Sequence, residues 1–344
     1  MNMEEKYLNI VALIDGTQNE YKKGTNLAKL EASLFSDKKY LLPESSAEYL
    51  TVVSHRPGPG TDPRTVCSGS IWAGDLAKAI GATYEWIAVK LKDNETATRS
   101  TRIPRLFLFG FSRGAYSVHV LSWILRQVGV PRNVDLARKI ACAYCDKNKS
   151  EWQRLRKEAE CYPSPRIAMM GCWDIVTSLL DTKSGYHDGI LSPLVGVVYH
   201  AMAANERRKF YPVKQYRNAG SKRVQQIWFS GVHGDVGRTY TDDTTLSDIS
   251  YAWIAGAARK KGLGFRKGCE PNLQTVYDFK NLKEHDEALT ETANRRFHHG
   301  EGFHASLIAR LKADSSYTLD LLRVPSQLIN RLRSVLAGNT SDDD

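Results

Sequence analysis

The chain reads as an α/β protein built on a mostly parallel central sheet with helices on both faces. Three observations predict it. Four short apolar runs have strand length and little alternation, as strands buried on both faces do. Each run closes on glycine and a side chain capable of chemistry, and loops after the C-terminal ends of parallel strands are where such groups collect. Stretches with helical spacing of apolar residues separate the runs.

Taken in order, the first run is Leu8 to Ile14, which ends in Asp15-Gly16-Thr17. Ile71 to Lys90 is predicted helical, with Leu76, Ile80, Tyr84 and Ile87 on one face. Arg105 to Phe109 leads into Gly110-Phe111-Ser112-Arg113-Gly114. Ala115, Val118, Leu121, Ile124, Leu125 and Val128 then recur at helical spacing until Gly129, which is placed to cap the helix. Asp135 to Glu160 is expected to be a second, more polar helix. Ile167 to Met170 ends in Gly171-Cys172-Trp173-Asp174. Val195 to Arg208 is expected to be helical, with Val198 and Met202 on its apolar face beside His200. Val224 to Phe229 ends in Ser230-Gly231-Val232-His233-Gly234-Asp235. Leu246 to Lys261 reads as a helix capped by Ser247 or Asp248 and ended by Gly262.

Three long loops, 54–70, 180–193 and 269–287, are expected to form a cap over the sheet edge. A Pro325-initiated basic amphipathic helix, Ser326 to Leu336, is expected near the end, before a disordered tail. Residues 1–338 therefore read as one domain and 339–344 as tail.

The 344 residues are 42% hydrophobic and 25% charged, ordinary globular values that allow a large core. A net charge of +10 favours anionic surfaces such as phospholipid or nucleic acid. Zinc-finger, helix-turn-helix and aromatic-interleaved basic signatures are absent, so the sequence carries no specific nucleic-acid signature. The 6 cysteines lack secreted-scaffold spacing, and Cys142 and Cys145 fall in a helical stretch as incidental thiols. The polar N-terminus is no signal peptide, and no run reaches the ~18 apolar residues of a membrane span. Synthesis in the cytoplasm is expected, and secretion without a cleaved signal is compatible with it. The H-E-x-x-H pattern is absent, and neither a metal nor a cofactor is expected.

A serine between glycines at a strand-to-helix turn is a nucleophile elbow. The glycines allow a turn sharp enough to present the hydroxyl, and the helix N-terminus supplies amide donors. Such a serine needs a base, and the base an orienting acid. Ser112, Asp174 and His233 follow the nucleophile, acid, histidine order of α/β-hydrolases, each just past a predicted strand. Ser112 would attack an acyl carbonyl, His233 would carry the proton, and Asp174 would hold the imidazole tautomer. The oxyanion donors expected are the Arg113 amide and Gly16 or Thr17. Asp235 is an alternative acid and His304 a rival base. His200 is expected to be a core or supporting residue. Asp15 is expected to hydrogen-bond adjacent loop amides. A phosphoester hydrolase using Asp15 or Asp235 is the alternative enzyme, and a non-catalytic binder of nucleic acid or anionic surfaces is the alternative without chemistry.

The chain resembles the α/β-hydrolase catalytic domain of the type VI secretion lipase effectors. The resemblance runs through Asp15-Gly16-Thr17-Gln18-Asn19, Thr25-Asn26-Leu27, Gly58-Pro59-Gly60-Thr61 and Gly110-Phe111-Ser112-Arg113-Gly114-Ala115-Tyr116. It continues in Trp173-Asp174, His200, Asn205-Glu206-Arg207-Arg208, Gly231-Val232-His233-Gly234-Asp235-Val236-Gly237, Leu246-Ser247-Asp248-Ile249 and His304-Ala305-Ser306. It implies Ser112 as nucleophile, Asp174 as acid and His233 as base, and hydrolysis of phospholipid acyl esters of the phospholipase A type. The chain departs from the pattern at Arg238-Thr239-Tyr240, where the family has more glycine. Asn205 replaces an aspartate, and His119 stands where an arginine is expected. A large membrane-anchoring extension is not expected. The partners implied are an ester or phospholipid substrate and weak contact of the 326–336 helix with anionic lipid.

Overall fold

Alternate residues of β1 (Lys6–Ile14) enter opposite layers: Ile10, Ala12 and Ile14 one, Val11 and Leu13 the other. That two-sided burial removes the hydrophobic alternation of a surface strand. The computed structural model describes residues 5–17, 24–42, 47–59, 71–97, 101–177, 189–272, 282–286, 292–317 and 319, with the backbone alone for 71–74.

After β1 come α1 (Asn26–Ser33), β2 (Lys39–Leu41), β3 (Glu48–Arg56) and α2 (Ile71–Thr96). β4 (Ile103–Phe111) leads into α3 (Arg113–Val128), then α4 (Ala137–Cys145) and α5 (Lys149–Ala159). β5 (Ile167–Trp173), β6 (Val198–Ala203) and β7 (Val224–Phe229) follow, then α6 (His233–Gly237) and α7 (Thr245–Lys260). β8 (Gly302–Phe303) and α8 (Ala305–Ala313) complete the described elements.

The strands form one sheet in the order β2-β3-β1-β4-β5-β6-β7-β8. All neighbours are parallel except the β2–β3 edge pair. Helices α2 to α5 pack on one face, through Ile80, Tyr84, Leu121 and Ile140 among others. Helices α1 and α7 cover the other, through Leu27, Leu30, Ile254 and Ala258. The α/β architecture is the one that the four apolar runs predict, and each of those runs is a parallel strand.

Three expectations are corrected. Residues 195–208 hold β6, not a helix. A short apolar run has no periodicity that separates a buried strand from a helix face, and the slot between β5 and β7 decides the matter. His200 is therefore a strand residue, in register with Cys172 and Gln226. The stretch 135–160 is two helices, broken where Lys147 takes φ +56° and Asn148 caps α5 by accepting from the Glu151 amide. Helix α7 begins after Thr244, so Ser247 and Asp248 lie inside its first turn, and Gly262 (φ +99°) ends it as expected. The strands β2, β3 and β8 are unassigned in the sequence reading. The 326–336 helix, the tail and most of the 54–70 and 180–193 loops lie outside the described residues. Among the described residues no helix is long and apolar enough to cross a membrane.

Candidate active site

The glycines around Ser112 serve close approach. A Cβ on Gly114 would overlap the carbonyls of Ile14 and Asp15, and one on Gly110 would overlap the Ala115 backbone. Without those side chains α3 starts directly against the ends of β4 and β1. Ser112 itself sits at φ +56° and ψ −125°, a conformation that costs a non-glycine residue on the order of 1–3 kcal/mol. Its backbone holds it to the acid-bearing loop. The Ser112 amide donates to the Trp173 carbonyl at 2.9 Å, and its carbonyl accepts from the Val176 amide at 3.4 Å.

Asp174 lies between those two contacts, fully buried and also at positive φ (+45°). Its amide donates to Ala201 at 2.8 Å, and its Oδ1 accepts from the Ala203 amide at 2.9 Å, so β6 locates it from both sides. Its Oδ2 lies 2.6 Å from Nδ1 of His233. The imidazole stacks on Phe111, the residue before Ser112, at 4.6 Å between ring centroids, and meets Tyr211 edge-on at 5.1 Å. The His233 amide donates to Glu206 Oε2 at 3.2 Å, and Arg208 pairs with both Glu206 oxygens at 2.8 and 3.0 Å. The Asn205-Glu206-Arg207-Arg208 motif is thus the anchor of the histidine loop. Asn205 contributes by accepting from the Gly231 amide at 3.0 Å.

One residue of the site carries no signal in the sequence. Arg295 places Nη1 at 2.6 Å and Nη2 at 2.8 Å on the two oxygens of Asp174, a buried two-pronged pair. Burial by itself would raise the Asp174 pKa. The Arg295 charge and the His233 bond outweigh it and hold the carboxylate well below the usual range. For His233 burial lowers the pKa, the Asp174 bond and charge oppose that, Arg295 lowers it further, and the net is downward. A neutral imidazole with its Nδ1 proton on Asp174 leaves Nε2 as a base.

The remaining expected residues have other partners. His200 is buried, its Nε2 accepting from the Ile175 amide at 3.1 Å and its Nδ1 facing Gln226 Oε1 at 3.1 Å. Burial drives its pKa down to about 4, so it braces the Asp174 loop as a neutral ring. Asp235 pairs with His285 at 2.6 Å and accepts from the Val232 amide at 3.0 Å, which gives it a histidine other than His233. His304 caps α8 and stacks on Phe229 at 4.5 Å. Asp15 accepts from the Gly16 amide at 2.9 Å and from Thr25 at 2.8 Å, and lies 3.1 Å from His55. The Gly16 amide is therefore engaged, whereas the buried Thr17 Oγ1 has no hydrogen-bond partner. Trp173 and Val176, which flank Asp174 and Ile175, are buried in the core.

The family model described as "T6SS, Phospholipase effector Tle1-like, catalytic domain" matches residues 8–257. The chain belongs to the Tle1-like family. Of the two sides of the Asp174–Arg295 pair, only Asp174 falls within the span that defines the Tle1-like match. Two solved structures are similar to this Tle1-like chain. One is the Tle1 effector bound to the VgrG spike from the type 6 secretion system, 16% identical over 69% of this chain and 52% of that chain, with a TM-score of 0.45. The other is an uncharacterized protein from Pseudomonas aeruginosa, 14% identical over 76% of this chain and 47% of that one, also with a TM-score of 0.45. The chain spans about half the length of each. No curated protein matches its sequence.

Proposed function

We propose that this chain is a serine hydrolase that cleaves phospholipid acyl esters through an acyl-enzyme. The observation that carries the reading is Ser112 at a strained strand-to-helix turn, directly after Phe111, on whose ring stacks an imidazole with its Nδ1 2.6 Å from a buried aspartate. Ser112 Oγ attacks the acyl carbonyl while His233 Nε2 takes its proton. The tetrahedral oxyanion is met by the Arg113 amide and by Thr17. The proton then passes from His233 to the leaving alcohol, and the acyl group stays on Ser112. Water, deprotonated by His233, hydrolyses that ester and regenerates the serine.

Thr17 is favoured over Gly16 as second donor because its hydroxyl has no partner while the Gly16 amide already donates to Asp15. The residues Asp15 to Thr17 continue from Ile14, which is in register with Gly110, so they flank the elbow. The phospholipid class rests on the family description together with the +10 charge. Ser112→Ala is expected to abolish the burst of an activated ester and the release of fatty acid from phospholipid, with the near-ultraviolet circular dichroism unchanged. Turnover equal to the parent chain would overturn the assignment.

A further inference from the structure

Beside Arg295 lies a cavity of about 250 Å³, and among the described residues that line it every charged side chain is basic. Arg208, Lys209, Arg295, Arg296 and His298 contribute to the wall together with Tyr211, and among the described residues no carboxylate does. Arg208 and Arg295 are already matched to Glu206 and Asp174. Arg296 and Lys209 bring two more positive charges to the same wall.

The wall is tied together by backbone bonds. The Ala293 amide donates to the Arg207 carbonyl at 2.7 Å, Gln215 Nε2 to the Arg296 carbonyl at 2.9 Å, and Arg295 Nη2 to the Tyr211 carbonyl at 2.9 Å. A guanidinium has five N–H donors. Arg295 directs four hydrogen bonds, two to Asp174, one to Ala203 and one to Tyr211. Its Nε is buried and has no partner. A buried orphan donor costs about 1–3 kcal/mol and asks for an acceptor.

The cavity also adjoins the reacting groups. Tyr211 lies on its wall and edge-on to His233, and Arg295 lies on its wall and against Asp174. Phe210, between the lining residues Lys209 and Tyr211, is 58% exposed. An exposed aromatic beside cations suits the boundary between lipid headgroups and acyl chains.

We propose that this cavity seats the phosphate of a glycerophospholipid, with Lys209 and Arg296 as its cationic contacts. The inference rests on the hydrolase reading, in which the ester cleaved and the phosphate are carried on one glycerol. A phosphate held here would fix which lipid ester reaches Ser112.

Calorimetric titration of the full chain tests this with two probes, inorganic phosphate and glycerophosphoglycerol, which lacks an acyl ester. The diester is expected to bind saturably at one site. Arg296→Gln and Lys209→Gln, both at exposed positions, should each weaken it about tenfold. Arg154→Gln removes one positive charge from α5, which does not line the cavity, and should leave binding intact. Absence of saturable diester binding overturns the proposal, as does undiminished binding in the Lys209→Gln/Arg296→Gln chain. An equal loss in Arg154→Gln reduces the effect to net charge and also overturns it. Binding of inorganic phosphate with no binding of the diester assigns the cavity to free phosphate and overturns the headgroup. The titration reads no ester cleavage, so diester binding by a chain that hydrolyses nothing would sink the hydrolase and leave the cavity standing.

Discussion

Arg295 compensates the Asp174 carboxylate inside the protein, where removing one partner of an ion pair costs about 3–5 kcal/mol. Arg295→Met is expected to lower unfolding stability by that amount in urea titration, and Arg295→Lys by less, because the charge stays while the fork is lost. The same pair shapes the pH profile of the proposed hydrolase. Activity needs neutral His233 and is lost as pH falls through its pKa. Burial and the Arg295 charge keep that pKa below the ordinary 6.5. The acid limb of kcat/KM should therefore lie below pH 6.5, and should move upward in Arg295→Met as the opposing charge disappears. An acid limb unmoved by the substitution would remove Arg295 from the account of His233. Ser112, Asp174 and His233 were legible in the sequence because each follows a recognisable strand. Arg295 was not, since it lies 121 residues from Asp174 in irregular chain and meets it only through the fold.

Among the elements, β3 shows what one unassigned segment conceals. His55, at its end, lies 3.1 Å from Asp15 after β1 and 3.1 Å from Glu31 on α1, with its side chain fully buried. Burial lowers its pKa, but the bonds to the two carboxylates overcome that and lift it to about 9. The folded-state pKa is above the unfolded one, so the stabilisation is complete below pH 6.5 and is lost as pH rises through 9. The loss is on the order of 3 kcal/mol. Urea midpoints should fall across that window, and His55→Gln should flatten the dependence while lowering stability below it. A parent chain equally stable at pH 6 and pH 10 would contradict the protonated bridge. The same limit explains β6. Its six residues are too few for periodicity to speak, and the missing rung between β5 and β7 is a property of the sheet.

For the whole molecule, the charge of +10 acts at long range and through salt. The Debye length shrinks from about 10 Å at 0.1 M to about 3 Å at 1 M, so attraction to anionic vesicles should fade over that range. Flotation with anionic and zwitterionic vesicles at both salt concentrations measures it. Binding indifferent to salt and to lipid charge would exclude an electrostatic origin. The sequence reading assigned this contact to the 326–336 helix, outside the described residues. The described chain offers a second place, the Arg207 to Tyr211 run with its exposed Phe210.

Strand-length apolar runs closing on glycine and chemistry were enough to predict a parallel sheet and three candidate residues at strand ends. Those signals are local: burial on both faces and a forced turn are both written within a dozen residues. The partners of those residues depended on distance in space, not on sequence. Arg295 against Asp174, Glu206 under the His233 amide, His55 between two carboxylates and the basic cavity each join segments that only the folded sheet brings together. Buried charges must be matched where they meet, and where they meet is decided by tertiary packing.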